Sequence, residues 1–410
     1  MPKVLLFSRR PLDRRPLHRW LGDAAADVVL VTPREAVAAS GSDVTGRFLG
    51  HRLVDDYGSW ATDRIAEEAA RAFGVDLVAS TSEDDVLRAA RLRGRLGLPG
   101  QHGESANAYR DKVAMKRLAR AAGLPVPEFA PVDDPLDLLD FIDAHGFPVV
   151  VKPRSGAGAE GFAALRDDAD LAGFLDPERP RTVPLLPGQW MAESFAHGDF
   201  FHVDGIMRGH EVVHCWPSRY NTGVAEHTRH ASALSSVLLS PHNPRTARLA
   251  AFTADVVAAL PPSPMPSSFH LEAWVGDDGV PVLCEIACRA GGGPIATTYE
   301  RAFGVHLAKE GLRAQCGLDL TLDVQPKAPE EACGWVVLPP GTGRFQPPAE
   351  PCPVPGVHLT VHLEPGTRSE GMRHAVDAAA DAVVIGDTEE EVHNRLEELV
   401  GWWSTGTTWT

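Results

Sequence analysis

Paired cysteines are missing from this sequence. Its six cysteines among 410 residues run from Cys215 to Cys352 with no CxxC spacing, so neither a disulfide framework nor a cysteine zinc site organises the fold, and reduced thiols are expected. Long apolar runs are missing too. Val149 to Val151 is short, and the stretch from Leu249 to Leu260 is broken by Thr253 and Asp255, well below the ~20 residues that cross a bilayer. Positive charge is in deficit, with 39 Lys and Arg against 55 Asp and Glu and a formal net charge of −16. That balance excludes a general nucleic-acid partner, and any anionic ligand must be met by local basic groups. The opening stretch MPKVLLFSRRPLDRRPLHRW places its arginines after the apolar run, the reverse of a secretory signal, so a cytoplasmic location without membrane association is expected. No GxSxG nucleophile elbow occurs.

What is present is a large apolar fraction, 44% of residues, enough to build two or three domains. KVLLF (3–7) and DVVLV (27–31) read as strands around a helical stretch from Leu17 to Ala25. Ala61 to Phe73 reads as a helix, DLVA (76–79) as a strand and Glu83 to Leu96 as a helix. This alternation predicts a doubly wound α/β domain over residues 1–105. Its first turn, SRRPLDRR, has no glycine fingerprint for a dinucleotide. Beyond it, DKVAMKRLARAAG forms an amphipathic helix with Met115, Leu118 and Ala122 on one face. Lys112 lies in the first turn of that helix, where the dipole disfavours a cation. It is either a solvated lysine or one waiting for an anion.

The segment FPVVVKPRSGAGAEGF (147–162) runs from a buried strand into a glycine-rich loop, with Lys152 between them. Pro153 lacks a ladder donor, so pairing is expected to end there. Gly156, Gly158 and Gly161 free the backbone to turn successive N–H groups toward an anion, which makes a phosphate site in outline. A second segment, FHLEAWVGDDGVPVLCEIACRAGGGPI (269–295), reads as a hairpin of Phe269–Val275 and Val280–Ile286 about the turn GDDG. Its register decides whether Glu272 and Glu285 face each other. Facing carboxylates repel unless a cation lies between them, and oxygen ligands of this kind suit Mg²⁺ bridging phosphates. The alternative is a solvated face, against which stands the apolar setting VLCEIAC around Glu285.

The ordered set RDK (110–112), VVVKP (149–153), SGAGAEG (155–161), ESFAHGDFFHVDG (193–205), HLE (270–272) and CEIACRAGGG (284–293) resembles the ATP-grasp superfamily. Its RxGGG ending is similar to the L-amino-acid ligase branch, which makes dipeptides. The resemblance implies an α/β architecture: an N-terminal Rossmann-like domain (1–105), an ATP-grasp subdomain with a glycine-rich lid (106–190), a second subdomain with the metal hairpin (191–320) and a C-terminal α+β domain (321–410). It implies ATP and Mg²⁺ as cofactors, with two ions expected and Mn²⁺ as an alternative. Small-molecule substrates, an amino acid and an amine or short peptide, are the expected partners, with a homodimer as a further expectation.

By the same resemblance Lys112 and Lys152 contact the ATP phosphates, and the loop bearing Ser155, Gly156, Gly158 and Gly161 closes over them. Glu193 opens the hinge whose backbone at Ser194, Phe195 and Ala196 reads the adenine edge, and Asp199 is the ribose candidate. Phe200 departs from the family there, standing where a glutamate is common. Glu272 and Glu285 hold the metal, and Arg289 acts on the transferring phosphoryl group. Ala287 replaces an asparagine that many relatives use as a further metal ligand, as several amino-acid ligases do. Glu226, Arg229, Arg289 and Gly292 are the substrate candidates, with a solvated loop as the other reading of 218–236. His270 reads as a strand histidine with a partner, not as a base. Trp402 and Trp403 are expected to pack under the last helix, and the proline clusters 261–268 and 346–355 to form loops. The implied reaction activates a carboxylate as an acyl phosphate and joins it to an amine. The alternatives are a ligase of primary metabolism, purine-pathway or biotin-carboxylase-like, or a nucleotide-binding regulator without turnover.

Overall fold

The computed structural model describes residues 2–12, 15–38, 45–179, 181–321, 328–372, 374–375 and 377–410. The chain begins with four parallel strands, β1 (Val4–Phe7), β2 (Val28–Pro33), β3 (Gly50–Val54) and β4 (Leu77–Ser80), in the order β3-β2-β1-β4. β1 and β2 are apolar along most of their length because both faces are covered. One side packs against helices Trp60–Phe73 and Val86–Leu96, and the other takes Leu312 and Cys316 from the end of helix Leu307–Gln315.

The second sheet is antiparallel and built from β5 (Phe129–Val132), β6 (Val149–Pro153), β7 (Ala163–Leu165) and β8 (Trp190–Ser194), in the order β5-β8-β6-β7. Pairing of β6 with β7 ends at Val151, yet on the β8 side it continues through Lys152 and Pro153. The expected stop at Pro153 therefore holds on one edge only.

Most of the remaining strands join one large sheet. β9 (Asp199–Gly209), β10 (Glu211–Tyr220), β11 (Leu234–Leu238), β12 (Ser263–Val275) and β13 (Pro281–Ala287) precede β14 (Ala332–Leu338), β15 (Thr342–Gln346), β16 (Val357–Val361), β17 (Arg368–Glu370), β18 (Ala380–Gly386) and β19 (Thr408–Trp409). Eight of them run in the order β13-β12-β9-β10-β11-β14-β18-β16, while β17-β15-β19 form a small sheet. Because β11 pairs with β14, the sheet crosses the domain boundary expected at residue 320. Residues 263–268, expected to be a loop, belong to β12, where a register shift between Ser263 and Ser267 absorbs the prolines. The C-terminal helix Glu389–Gly406 buries Val392, Leu396, Leu399 and Trp403, with Trp402 partly covered, so the two tryptophans pack, but as part of the last helix and not beneath it, because the helix runs on past residue 400.

Helix Lys112–Ala121 is the element that positions the site. Asp111 caps its N-terminus, accepting from the backbone N–H groups of Val113 at 2.9 Å and Ala114 at 3.1 Å. Its apolar side joins a core with β9, β12, β13 and helix Pro244–Ala259.

Candidate active site

The hairpin of β12 and β13 closes through Gly279, whose N–H donates to the Gly276 carbonyl at 2.9 Å. Glu272 and Glu285 are direct partners across it, so their side chains leave the sheet on one face. The question that the sequence left open is answered by a bulge. Ala273 pairs with Leu283 and Glu272 with Glu285, which leaves Cys284 as an extra residue.

Two lysines converge on this face. Lys112 Nζ lies 2.8 Å from Glu285 and also donates to the Gly156 carbonyl at 2.7 Å, which ties the helix start to both hairpin and glycine loop. Lys152 Nζ lies 2.5 Å from Glu193 Oε1. Burial opposes the Lys152 charge, but Glu193 and Glu285 outweigh it and raise its pKa. Burial likewise opposes the Glu285 charge, and Lys112 and Lys152 reverse the balance, holding its carboxyl below the ordinary range.

Arg289 is gripped from the N-terminal domain. Its Nε donates to Glu83 Oε2 at 2.7 Å, and its remaining amine nitrogens reach Glu83 and the Ala290 carbonyl. Arg110 approaches the other oxygen of Glu83 at 3.1 Å. Glu83 pays a burial penalty that Arg289 and Arg110 more than offset, so it stays ionised. Sequence reasoning missed Glu83, which is 206 positions from its partner. The available signal was an acidic run, SEDD, just past a parallel strand's C-terminal end, where such sheets place ligand groups.

Glu272 is oriented by a second missed network. Tyr220 donates its hydroxyl to Glu272 Oε1 at 3.0 Å, and His270 Nε2 is 3.5 Å from the same oxygen. His270 Nδ1 meets Asp204 Oδ1 at 2.9 Å, His202 Nδ1 meets Asp204 Oδ2 at 2.5 Å, and His202 Nε2 meets Ser236 Oγ at 2.8 Å. Ser236 Oγ also reaches the Arg219 carbonyl at 2.9 Å, which ties the network to β10. Although His202, Asp204 and His270 are ligand types close together, the 2.5 Å separation is a hydrogen bond, too short for two ligands spanning a cation with bonds of about 2.1 Å. Burial works against a charge on His270, but Asp204 raises its pKa to about 10. His270 is thus a partnered strand residue, in line with the sequence reading. Gly291 packs on this network: a Cβ there would come within 2.8 Å of Asp204 Oδ1 and 3.0 Å of His270 Nδ1.

The other candidates lie on separate segments. Glu193 turns its carboxylate inward to the lysines, while Ser194 exchanges hydrogen bonds with the Glu128 backbone at 2.9 and 3.1 Å. Phe195 is exposed and tilts its ring toward His197, and Ala196 follows it. Asp199 is 2.6 Å from Arg245 on the surface. Phe200 stacks between Trp274 and Tyr220, so the departure at this position closes the sheet end with aromatics. Glu226 and Arg229 are exposed on the short helix Val224–His230, which His227 anchors through a bond to the Ala375 carbonyl at 3.0 Å. Ser155, Gly158 and Gly292 are exposed, and Gly156 and Gly161 are partly covered.

No family model matches the chain. Among curated proteins it is similar to the L-arginine-specific L-amino acid ligase of Bacillus subtilis, 27% identical over 277 residues, which is 66% of this chain and 64% of that relative. The match thus spans less than two thirds of the relative's length. The structure of an L-amino acid ligase from Bacillus licheniformis superposes with a TM-score of 0.74 over 98% of this chain and 97% of that one, at 16% identity. This is the ATP-grasp fold. A biotin carboxylase domain dimer from the 2-oxoglutarate carboxylase of Hydrogenobacter thermophilus, solved with MgADP, ADP and bicarbonate, superposes with a TM-score of 0.68 over 98% of this chain and 90% of that one, at 14% identity. The resemblance read from the sequence is therefore borne out, down to the amino-acid ligase branch. In this fold the donor set fits a hard divalent cation: two opposed carboxylates, one with Oε1 already engaged, beside lysines that suit phosphate oxygens.

Proposed function

We propose that the chain is an ATP-dependent carboxylate–amine ligase that joins an amino acid to a second amino acid, a short peptide or another amine, releasing ADP and phosphate. The observation that carries this reading is the direct opposition of Glu272 and Glu285 with Lys112 in ion-pair reach and Lys152 beside them. Mg²⁺ held by the two glutamates, two ions in this reading, supplies neutralisation of charge on the nucleotide phosphates when bound. Lys112 and Lys152 receive phosphate oxygens in exchange for Glu285 and Glu193. Arg289 faces the developing charge as phosphoryl passes to the substrate carboxylate, and Glu83 keeps the guanidinium aimed.

Position and charge suffice for such a reaction. A carboxylate becomes an electrophile once its oxygen is phosphorylated, and the amine displaces phosphate without a protein nucleophile. Cys284, the thiol nearest this chemistry, is pushed up to about 12 by burial and stays protonated. The glycine loop excludes water from the acyl phosphate. The hinge 193–196 with Asp199 takes the nucleoside, and Glu226, Arg229, Arg289 and Gly292 meet the substrates. A cytoplasmic setting and a homodimer belong to the same proposal. No helix among the described residues is long and apolar enough to cross a membrane.

The test is Mg²⁺- and ATP-dependent phosphate release across pairs of L-amino acids, with hydroxylamine present to trap acyl phosphate as a hydroxamate. Release that requires one acid, with its hydroxamate formed, is expected and names the donor. ATP binding with no release for any amino acid or amine pair would overturn the proposal in favour of a regulator.

A further inference from the structure

The register that places Glu285 opposite Glu272 depends on a single extra residue, Cys284. From the turn upward, Trp274 pairs with Val282 and Ala273 with Leu283. An unbroken ladder would continue with Glu272 opposite Cys284 and Leu271 opposite Glu285. Since side chains alternate between faces, Glu285 would then share a face with Leu271, which is fully buried in the apolar core with Phe269 and Ala273. The bulge is therefore what delivers the second carboxylate to the site, and it needs something to hold it.

β13 is an edge strand, so its outward backbone groups have no strand partner. Helix Lys112–Ala121 and the chain just after it take that place. Lys116 Nζ donates to the Leu283 carbonyl at 2.9 Å, the Leu283 N–H donates to the Pro125 carbonyl at 2.9 Å, and the Ile286 N–H points at Met115 Sδ at 3.2 Å. Lys112 and Lys116 are one helical turn apart and so share a helix face. The first takes the Glu285 carboxylate and the second the Leu283 carbonyl, so the two bracket Cys284 from both sides. The Lys116 ammonium is fully buried and also lies 3.2 Å from Glu193 Oε2, close enough for charge pairing although not aimed as a hydrogen bond. The other oxygen of Glu193 holds Lys152.

We propose that Lys116 is a positioning residue: its ammonium pins the bulge at Leu283 and shares Glu193 with Lys152, fixing the second metal carboxylate and a phosphate lysine in one frame. This rests on the reading that Glu272 and Glu285 hold the metal. It assigns no contact with substrate or nucleotide to Lys116. A residue that only fills the core would be replaceable by an apolar chain of the same length, and burying an ammonium is costly enough that such a replacement is often tolerated or stabilising. The two roles therefore differ in what Lys116→Met does to metal-dependent binding, not in what it does to folding.

The experiment is calorimetric titration of ADP into the full chain, with Mn²⁺ and in EDTA, for the wild type, Lys116→Met, Lys116→Arg and Glu285→Gln. The readout is the factor by which Mn²⁺ tightens ADP. Lys116→Met is expected to cut that factor by about tenfold or more, the range for residues that orient metal ligands, with little change in the EDTA titration. Lys116→Arg, which keeps a donor for the bulge carbonyl, should recover most of it. An unchanged factor in Lys116→Met, with the factor lost in Glu285→Gln, would overturn the role of Lys116 alone. An unchanged factor in Glu285→Gln would overturn the metal assignment beneath it. Should Lys116→Met not fold, Lys116→Gln takes its place: its shorter side chain cannot span to Leu283, and a wild-type factor there would count against the proposal.

Discussion

Glu285 in the β12–β13 hairpin and Asp85 in the N-terminal domain are both carboxylates drawn out of water, and they hold their protons differently. Asp85 is the drier, with 2% of its side chain exposed against 19% for Glu285. Burial pushes Asp85 up to about 6, and neither Arg88 at 3.2 Å nor the Tyr57 hydroxyl at 3.0 Å brings it back. Arg88 is divided, since it also meets Asp63 at 2.7 Å and the Tyr57 carbonyl. Glu285 has Lys112 at 2.8 Å, with Lys152 and Arg289 close behind, and its carboxyl is drawn down. What separates them is the supply of cations and not the depth of burial. A structural carboxylate makes do with a shared arginine, whereas the hairpin gathers more positive charge than one glutamate needs, as expected of a place that receives phosphates.

The sharpest way to break this contrast is to remove charge from each side. Glu285→Gln and Lys152→Ala should each lower turnover by more than about a hundredfold with the far-ultraviolet circular dichroism unchanged, while Asp85→Asn leaves turnover at the wild-type level. Normal turnover in either of the first two would dissolve the distinction. The second effect is on stability. Because Asp85 has a folded pKa of about 6, above its ordinary value of 3.8, its contribution is present below the ordinary value and is lost as pH rises through about 6. Asp85→Asn should therefore gain on the wild type by up to about 3 kcal/mol between about pH 4 and pH 7, read from urea unfolding across that window. A constant difference would mean that Arg88 neutralises Asp85 fully.

The glycine loop tests whether the lysines are held in place. Gly161 has φ of +69°, and a Cβ there would lie 2.8 Å from the Pro153 ring, so Gly161→Ala should cost about 1–2 kcal/mol and weaken ATP binding in an equilibrium titration. Ala159 adopts φ of +58° with a Cβ already present. Ala159→Gly should be neutral to stabilising by about 0.5 kcal/mol, since relief of the left-handed strain is offset by a looser unfolded chain; a loss of thermal midpoint would show that the methyl packs.

Much of this was legible in the sequence because it is local. VVVKP announces a covered strand running into a loop, and the alternation around HLE and CEI announces a hairpin. The facing of Glu272 and Glu285 was not, because a one-residue bulge reverses a face and Cys284 carries no mark of it. Glu83 gripping Arg289 and the chain from Ser236 through His202, Asp204 and His270 to Glu272 join segments far apart in sequence. Nothing local encodes them. Propensity misled at 263–268, where prolines read as a loop and a sheet-edge irregularity keeps them in a strand.

The pairing of β11 with β14 has a consequence for synthesis. Leu234 waits for Val337, so a nascent chain carries β11 with an open side until about a hundred further residues have left the ribosome. Until then the hairpin of β12 and β13 sits on an unfinished platform that invites pairing with other chains. A product truncated after residue 321 should keep every proposed metal and phosphate residue and still be recovered as aggregate, its last strands acting less as an appendage than as the closing seam of the large sheet.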